Sequence, residues 1–288
     1  MSHPLLDMDR IQQTPETYLN TIGCAFAIFG EGTQDSGNIS YGVQVGQERY
    51  FVKTAGRPDD PRPFASHSER VSLLRNAIRL RHSCSHRALP ALHRAIESPT
   101  GPLLVYQWVE GELIRADRAT RNDPRTTFQR FRRLPVPEIL HVLDQIYELH
   151  RQLAAFGWIA VDFYDGCLIY DFAPWELHVV DLDTYHDGPF TNEMGRMFGS
   201  SRFMAPEEFE LGARIDERTN VFTMGRAAVV LLSDGTLERP PFRGSDALYD
   251  VIHRACQNDR TSRFDSMGAF CDAWQRARGV MPPNGCGN

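Results

Sequence analysis

A chain of 288 residues is long enough to bury a sizeable core in one large or two modest units. With 42% apolar residues, 24% charged residues and a net charge of −6, it has an ordinary globular balance and gives no reason to expect nucleic acid as a partner. No apolar run approaches a membrane span and the polar opening MSHPLLDMDR is not a signal peptide; six cysteines without CxxC spacing fit reduced thiols, so a cytoplasmic location is expected.

Residues 1–20 read as a leader with one amphipathic turn. Three strands follow: Ala25-Phe-Ala-Ile-Phe29, Ile39-Ser-Tyr-Gly-Val-Gln-Val45 and Arg49-Tyr-Phe-Val-Lys53, the last after a turn at Gly46-Gln47. Between the first two, Gly30, Gly32 and Gly37 would let backbone amides approach a polyanion. Lys53 ends the third strand, and an ammonium buried there needs an anion, either a carboxylate or a nucleotide. After a proline-rich loop at 56–66, residues 67–82 read as a helix with Val71, Leu74 and Ile78 on its apolar side. His82-Ser-Cys84-Ser-His86 lacks a matching second ligand group and reads as a turn rather than a metal site.

Residues 91–98 and 103–109 complete a small sheet. Residues 115–133, opening on Arg115 and closing on Arg133, hold seven arginines against two aspartates. They read as a solvated face, with docking of an acidic or phosphorylated partner as the functional alternative. Residues 138–155 form the clearest helix, striped by Ile139, Val142, Leu143, Ile146, Leu149 and Leu153. Next comes GWIAVDFYDGCLIYDFAPWELHVVDLDTY at 157–185. Leu168-Ile169-Tyr170 and Leu177-His178-Val179-Val180 read as two strands joined around Ala173-Pro174-Trp175, a pairing that brings Asp162 and Asp181 to one end of the hairpin. Carboxylates on neighbouring loops repel one another and call for a cation, for which magnesium carrying phosphate oxygens is the usual answer.

Gly199-Ser-Ser-Arg-Phe-Met-Ala-Pro-Glu207 and then Asp216-Glu-Arg-Thr-Asn-Val-Phe-Thr-Met-Gly225 follow. With the aspartate-bearing loop before them, these segments stand in the order of the protein kinase superfamily, and the chain resembles bacterial Ser/Thr kinases of the eukaryotic type from about Phe26 to Ala277. The resemblance implies an α+β, bilobal protein-kinase-like fold: an N-lobe at 21–109 with a small antiparallel sheet, a mainly helical C-lobe at 110–280, and a loose tail at 281–288. It implies ATP and Mg2+ as cofactors. Lys53 matches the strand lysine on the α- and β-phosphates, backbone groups near Gln107 and Val109 the hinge that holds adenine, and Asp162 the aspartate that receives the substrate proton. Asp181 matches the metal-binding aspartate, with Asp183 as a second acid, and Glu207 is expected to pair with Arg263.

Several slots depart from the family. The helix carboxylate falls on Asn76 or Ala77, leaving Glu69 as the acidic candidate for Lys53. The His and Arg slots before Asp162 are Ala160 and Val161, which implies no control through a phosphorylated segment. The lysine slot is Tyr164, so the only cations offered to a transferring phosphoryl group are Arg196 or Arg202. The asparagine slot is Cys167, a poor magnesium ligand, with Asp165 as its substitute. Asn220 replaces the aspartate that ties the next helix to the catalytic loop. Three functions are expected from this pattern: a Mg-dependent transfer of the ATP γ-phosphate to a protein hydroxyl, a pseudokinase acting as a nucleotide-binding or scaffold module, or a small-molecule phosphotransferase suggested by Asp181-Leu-Asp183.

Overall fold

The computed structural model describes residues 2–30, 36–60 and 65–279. Gly32 and the tail beyond 279 lie outside the described residues. The architecture is α+β, and the chain divides into two compact units between Glu110 and Gly111.

In the first unit α1 (Pro15–Ile22) precedes β1 (Cys24–Phe29), β2 (Ile39–Val45) and β3 (Glu48–Thr54). Then come α2 (His67–Ser83), β4 (Leu92–Ile96) and β5 (Leu103–Gln107). The strands form one antiparallel sheet in the order β1-β2-β3-β5-β4. Strand alternation sorts its faces. Tyr50 and Val52 point to one face, in a core with Val43, Val105 and Ile96, and that core is covered by Leu5, Ile11, Tyr18 and Leu19. The opening residues, read above as a leader, are therefore part of this core. The Ile11 N–H donates to the Glu97 carbonyl at 2.9 Å, and the Tyr18 hydroxyl donates to the Pro4 carbonyl at 2.5 Å. Lys53 sits in register with Ser40 and Leu104, and Leu104 packs with Ala55, Leu74 and Ala77 of the α2 side.

The second unit opens with β6 (Glu112–Leu113), α3 (Thr127–Arg132) and α4 (Val136–Ala155). It continues with β7 (Trp158–Ile159), β8 (Leu168–Asp171), β9 (Glu176–Val179), β10 (His186–Asp187), β11 (Phe190–Thr191) and β12 (Arg214–Ile215). Three helices close it: α5 (Glu217–Leu232), α6 (Asp246–Ala255) and α7 (Met267–Arg278). The stripe expected on α4 is buried as Ile139, Val142, Leu143, Ile146, Leu149 and Leu153. Tyr147 extends it with edge-to-face contacts to Phe270 and Trp274 of α7. Each fully buried aliphatic side chain on that stripe contributes about 1.5–3 kcal/mol. Among the described residues no helix is long and apolar enough to cross a membrane.

Candidate active site

The site in the second unit is built on the β8–β9 hairpin. Its turn is closed by Asp171, whose Oδ1 accepts from the Ala173 N–H at 2.9 Å, and by Trp175 in the left-handed region. At the other end Leu168 pairs with Val179, and the Val180 N–H donates to the Cys167 carbonyl at 2.9 Å. The loops carrying Asp162 and Asp181 therefore leave the hairpin at the same end. The short β7–β10 pair and the bond from the Thr184 hydroxyl to the Val161 carbonyl (2.8 Å) fasten the two loops to each other.

Asp162 and Asp181 share an unusual backbone, with φ of 60° and 62°. Aspartate tolerates that region better than most residues, at a cost of about 1–2 kcal/mol each. Two such positions on facing loops mark where local comfort has been given up for placement. Burial pushes the Asp162 carboxyl up to about 7, and the neighbouring charge of Asp181 adds to the effect.

Neighbouring residues hold this loop by apolar packing and by backbone hydrogen bonds. Ala160 and Val161 are buried. Val161 packs with Ile159, Met197, Met204 and Ile215, so the segment after Asp187 is joined to the loop through apolar contact. Asn220 ties α5 to the loop despite lacking the expected carboxylate: its Oδ1 accepts from the Ala160 N–H at 2.9 Å and its amide donates to the Trp158 carbonyl at 3.4 Å. His150 of α4 donates from Nδ1 to the Ile146 carbonyl, which leaves Nε2 to accept from the Tyr185 hydroxyl at 2.7 Å.

Three of the substitutes considered from sequence have other occupations. Asp165 is 1% exposed, and its Oδ2 accepts from Arg202 at 2.5 Å. That pair engages both Asp165, the stand-in metal ligand, and Arg202, the stand-in cation. Arg196 donates to the carbonyls of Met197 and Gly199. The Cys167 thiol is buried, which pushes its pKa well above the ordinary value, and it donates to the Asp162 carbonyl at 3.5 Å. The Tyr164 ring lies over Gly166, where a Cβ would come within 2.3 Å of it.

The segment that follows is pinned by buried polar groups. Arg263 and Glu207 form a bidentate pair at 2.7 and 2.9 Å, and the Thr219 hydroxyl adds a bond to Glu207 at 2.9 Å. Burial works to raise the Glu207 carboxyl, and the Arg263 guanidinium overcomes it, so the net displacement is downward. Asn192, 1% exposed, donates to the carbonyls of Gly195 and Glu207. Sequence reading passed over Asn192. It also passed over Glu208, 3% exposed, which burial pushes up to about 8. Glu208 carries a local signal, since it stands at the third position of a turn whose first N–H, on Ala205, it accepts at 2.6 Å.

In the first unit Lys53 is 7% exposed at the end of β3. Glu69 does not run along the face of α2. It closes the helix start, accepting from the Ser66 N–H at 2.7 Å in a capping box. Gly30 follows β1, and Gly37, at φ 81°, precedes β2 and lies against Gly56. The Gln107 N–H donates to the Ala91 carbonyl at 2.8 Å, so that donor is spent in the sheet; Val109 lies just beyond β5. Most arginines of 115–133 are paired within the unit: Arg130 with Glu112, Arg125 with Asp123, Arg115 with Asp117, and Arg132 with the Ser233 carbonyl.

The donor set suits magnesium. Among the described residues no three His, Cys, Asp or Glu side chains gather as a metal cage. Magnesium commonly takes one or two carboxylates and fills its shell with water and phosphate oxygens. Asp181 is exposed and Asp183 is 6% exposed, and both offer hard oxygen where Cys167 offers sulfur. Asp181 adds to the upward push on the Asp162 carboxyl, and a cation bound there would oppose it. No family model matches the chain, and no curated protein matches it.

Proposed function

We propose that the chain is an ATP- and magnesium-dependent phosphotransferase of bilobal, protein-kinase-like fold that acts on a Ser or Thr hydroxyl of a protein. The observation that carries this reading is the convergence of Asp162 and Asp181 from two strained loops at one end of the β8–β9 hairpin. Asp162 accepts the proton of the substrate hydroxyl at its carboxylate; a value near 7 suits a general base at neutral pH. Asp181 and Asp183 hold the cation, with Lys53 assigned to the nucleotide's α- and β-phosphates and Val109 to the adenine edge. Bound there, magnesium neutralises the charge that develops on the phosphoryl oxygens. Residues 200–204 present the peptide, and their position is fixed by Glu207–Arg263 behind them. A cytoplasmic location belongs to the same reading and rests on the cysteine pattern.

The test is incorporation of label from Mg-ATP by the purified chain, with Asp181→Ala as the comparison. Turnover in the wild type that vanishes in the variant is expected; equal turnover in both sinks the proposal. One observation favours a nucleotide-binding pseudokinase instead: Cys167 puts a buried thiol where the resemblance calls for an oxygen ligand. Thermal shift with ATP, with and without Mg2+, separates the two, since binding indifferent to the metal supports the pseudokinase.

A further inference from the structure

Of the seven arginines in 115–133, five are engaged: the four pairs above, and Arg133 on the Pro124 carbonyl. Arg118 and Arg121 are left over. Gln129 of α3 donates to the Arg121 carbonyl at 2.7 Å, and its neighbour Phe128 lies 5.5 Å under the Arg202 guanidinium. The helix thus brings Arg121 to the Arg202–Asp165 pair, and the charges that act on Arg121 are Arg202, Asp165 and Arg118. Asp165 accepts from Arg202 through Oδ2. The Nε–H groups of Arg121 and Arg202 are both buried without an acceptor, and Asp165 Oδ1, buried as well, accepts from neither. The terminal nitrogens of Arg121 and one of those of Arg202 stay open to solvent with no protein partner. Arg226 adds positive charge behind, its own donors spent on the carbonyls of Arg202 and Gly235.

One carboxylate answers one guanidinium, and the excess positive charge, half withdrawn from water, calls for a further anion. The forked N–H groups of arginine fit phosphate oxygens, and a phosphorylated side chain brings about −1.5 to −2 charge on three acceptor oxygens. The cluster also stands beside the proposed base. A Cβ on Gly199 would lie 3.6 Å from Asp162 Oδ1, the Phe203 ring meets Phe163 edge to face at 6.5 Å, and Arg202 lies between those two residues in the chain. We propose that Arg118, Arg121 and Arg202 receive a phosphorylated side chain of the protein substrate, so that the preferred substrate is one already phosphorylated beside its accepting hydroxyl. This rests on residues 200–204 presenting the peptide in the proposed reaction. Asp165 holds Arg202 in place for the incoming phosphate, and the exposed Arg118 closes on it from the solvent side.

The test is binding of labelled serine peptides to the full chain, degenerate except for a phosphoserine or an alanine fixed at each flanking position in turn. At one position the phosphoserine set should bind about ten-fold tighter than the alanine set, or more. Arg121→Gln should cut that preference about ten-fold and Arg121→Lys by less, since lysine keeps the charge and loses the fork. Arg118→Glu changes an exposed side chain, where folding is not at stake, and should remove most of the preference. Equal binding of the two peptide sets by the wild type overturns the proposal, as does a preference that Arg121→Gln or Arg118→Glu leaves intact. Inorganic phosphate that matches the affinity of the phosphoserine peptides also overturns it, because the site then holds a free anion rather than a substrate. A chain without any turnover from Mg-ATP refutes the proposed function, whereas the binding measurement needs no turnover and decides this proposal alone.

Discussion

The segment 199–208 and the loop 160–167 lie in the same unit and treat charge in opposite ways. On the segment side two buried charges have counterparts: Glu207 is gripped by Arg263 and Thr219, and Arg202 by Asp165. On the loop side burial and the like charge of Asp181 both push the Asp162 carboxyl up, and its backbone is strained. Compensated charge holds a structure in place. A buried carboxyl pushed upward on a strained loop marks where chemistry is expected.

The largest effect should come from the compensated side. Arg263→Met leaves Glu207 buried with only Thr219 and a distant Arg260, 3.5 Å away, and should cost about 3–5 kcal/mol in urea unfolding. A loss below about 1 kcal/mol would remove the contrast at its stronger end. Asp165→Asn should cost less, about 2–3 kcal/mol by the same measurement. Arg202 keeps 19% exposure and its contacts with the rings of Phe128 and Phe203, so its charge is less stranded than that of Glu207.

The loop side should respond with the opposite sign. Asp162 sits near 7 in the fold against 3.8 unfolded, so the stability linked to its proton is complete below about 3.8 and lost as pH rises through 7. Asp162→Asn does not titrate and escapes that loss. At pH 8 it should be more stable than the wild type by about 1–2 kcal/mol, discounted for partial exposure, with the advantage gone at pH 4. Thermal denaturation at the two pH values checks it, and a variant less stable at both would mean that Asp162 is a structural residue.

These two sides were not equally legible in the sequence. The hairpin and α4 follow from apolar periodicity and a turn at Ala173-Pro174, because local pattern dictates local structure. Glu207 and Arg263 lie 56 residues apart, and no spacing rule points from one to the other; a resemblance was needed to name them together. Asp165 and Arg202 were each read alone, as a ligand and as a mobile cation, since sequence does not show that one satisfies the other. Ser66-His-Ser-Glu69 has the capping-box spacing, and Glu69 closes the helix start instead of facing Lys53's strand along α2. The packing of Leu5, Ile11 and Leu19 onto the sheet was hidden because their spacing matches no single helix or strand.

The smallest predicted change in stability is the most useful for the site. Cys167 stands between the two sides: it is buried like the compensated groups, yet it hydrogen-bonds to the carbonyl of Asp162. Cys167→Ser keeps the shape and the donor and replaces soft sulfur with a hard oxygen. Unfolding free energy should change by less than about 1 kcal/mol. If the cation of the proposed reaction reaches this slot, the serine variant should need several-fold less Mg2+ for half-maximal ATP-dependent stabilisation, because magnesium prefers oxygen. An unchanged magnesium requirement would place the cation wholly on Asp181 and Asp183, with Cys167 serving only to brace the backbone of Asp162.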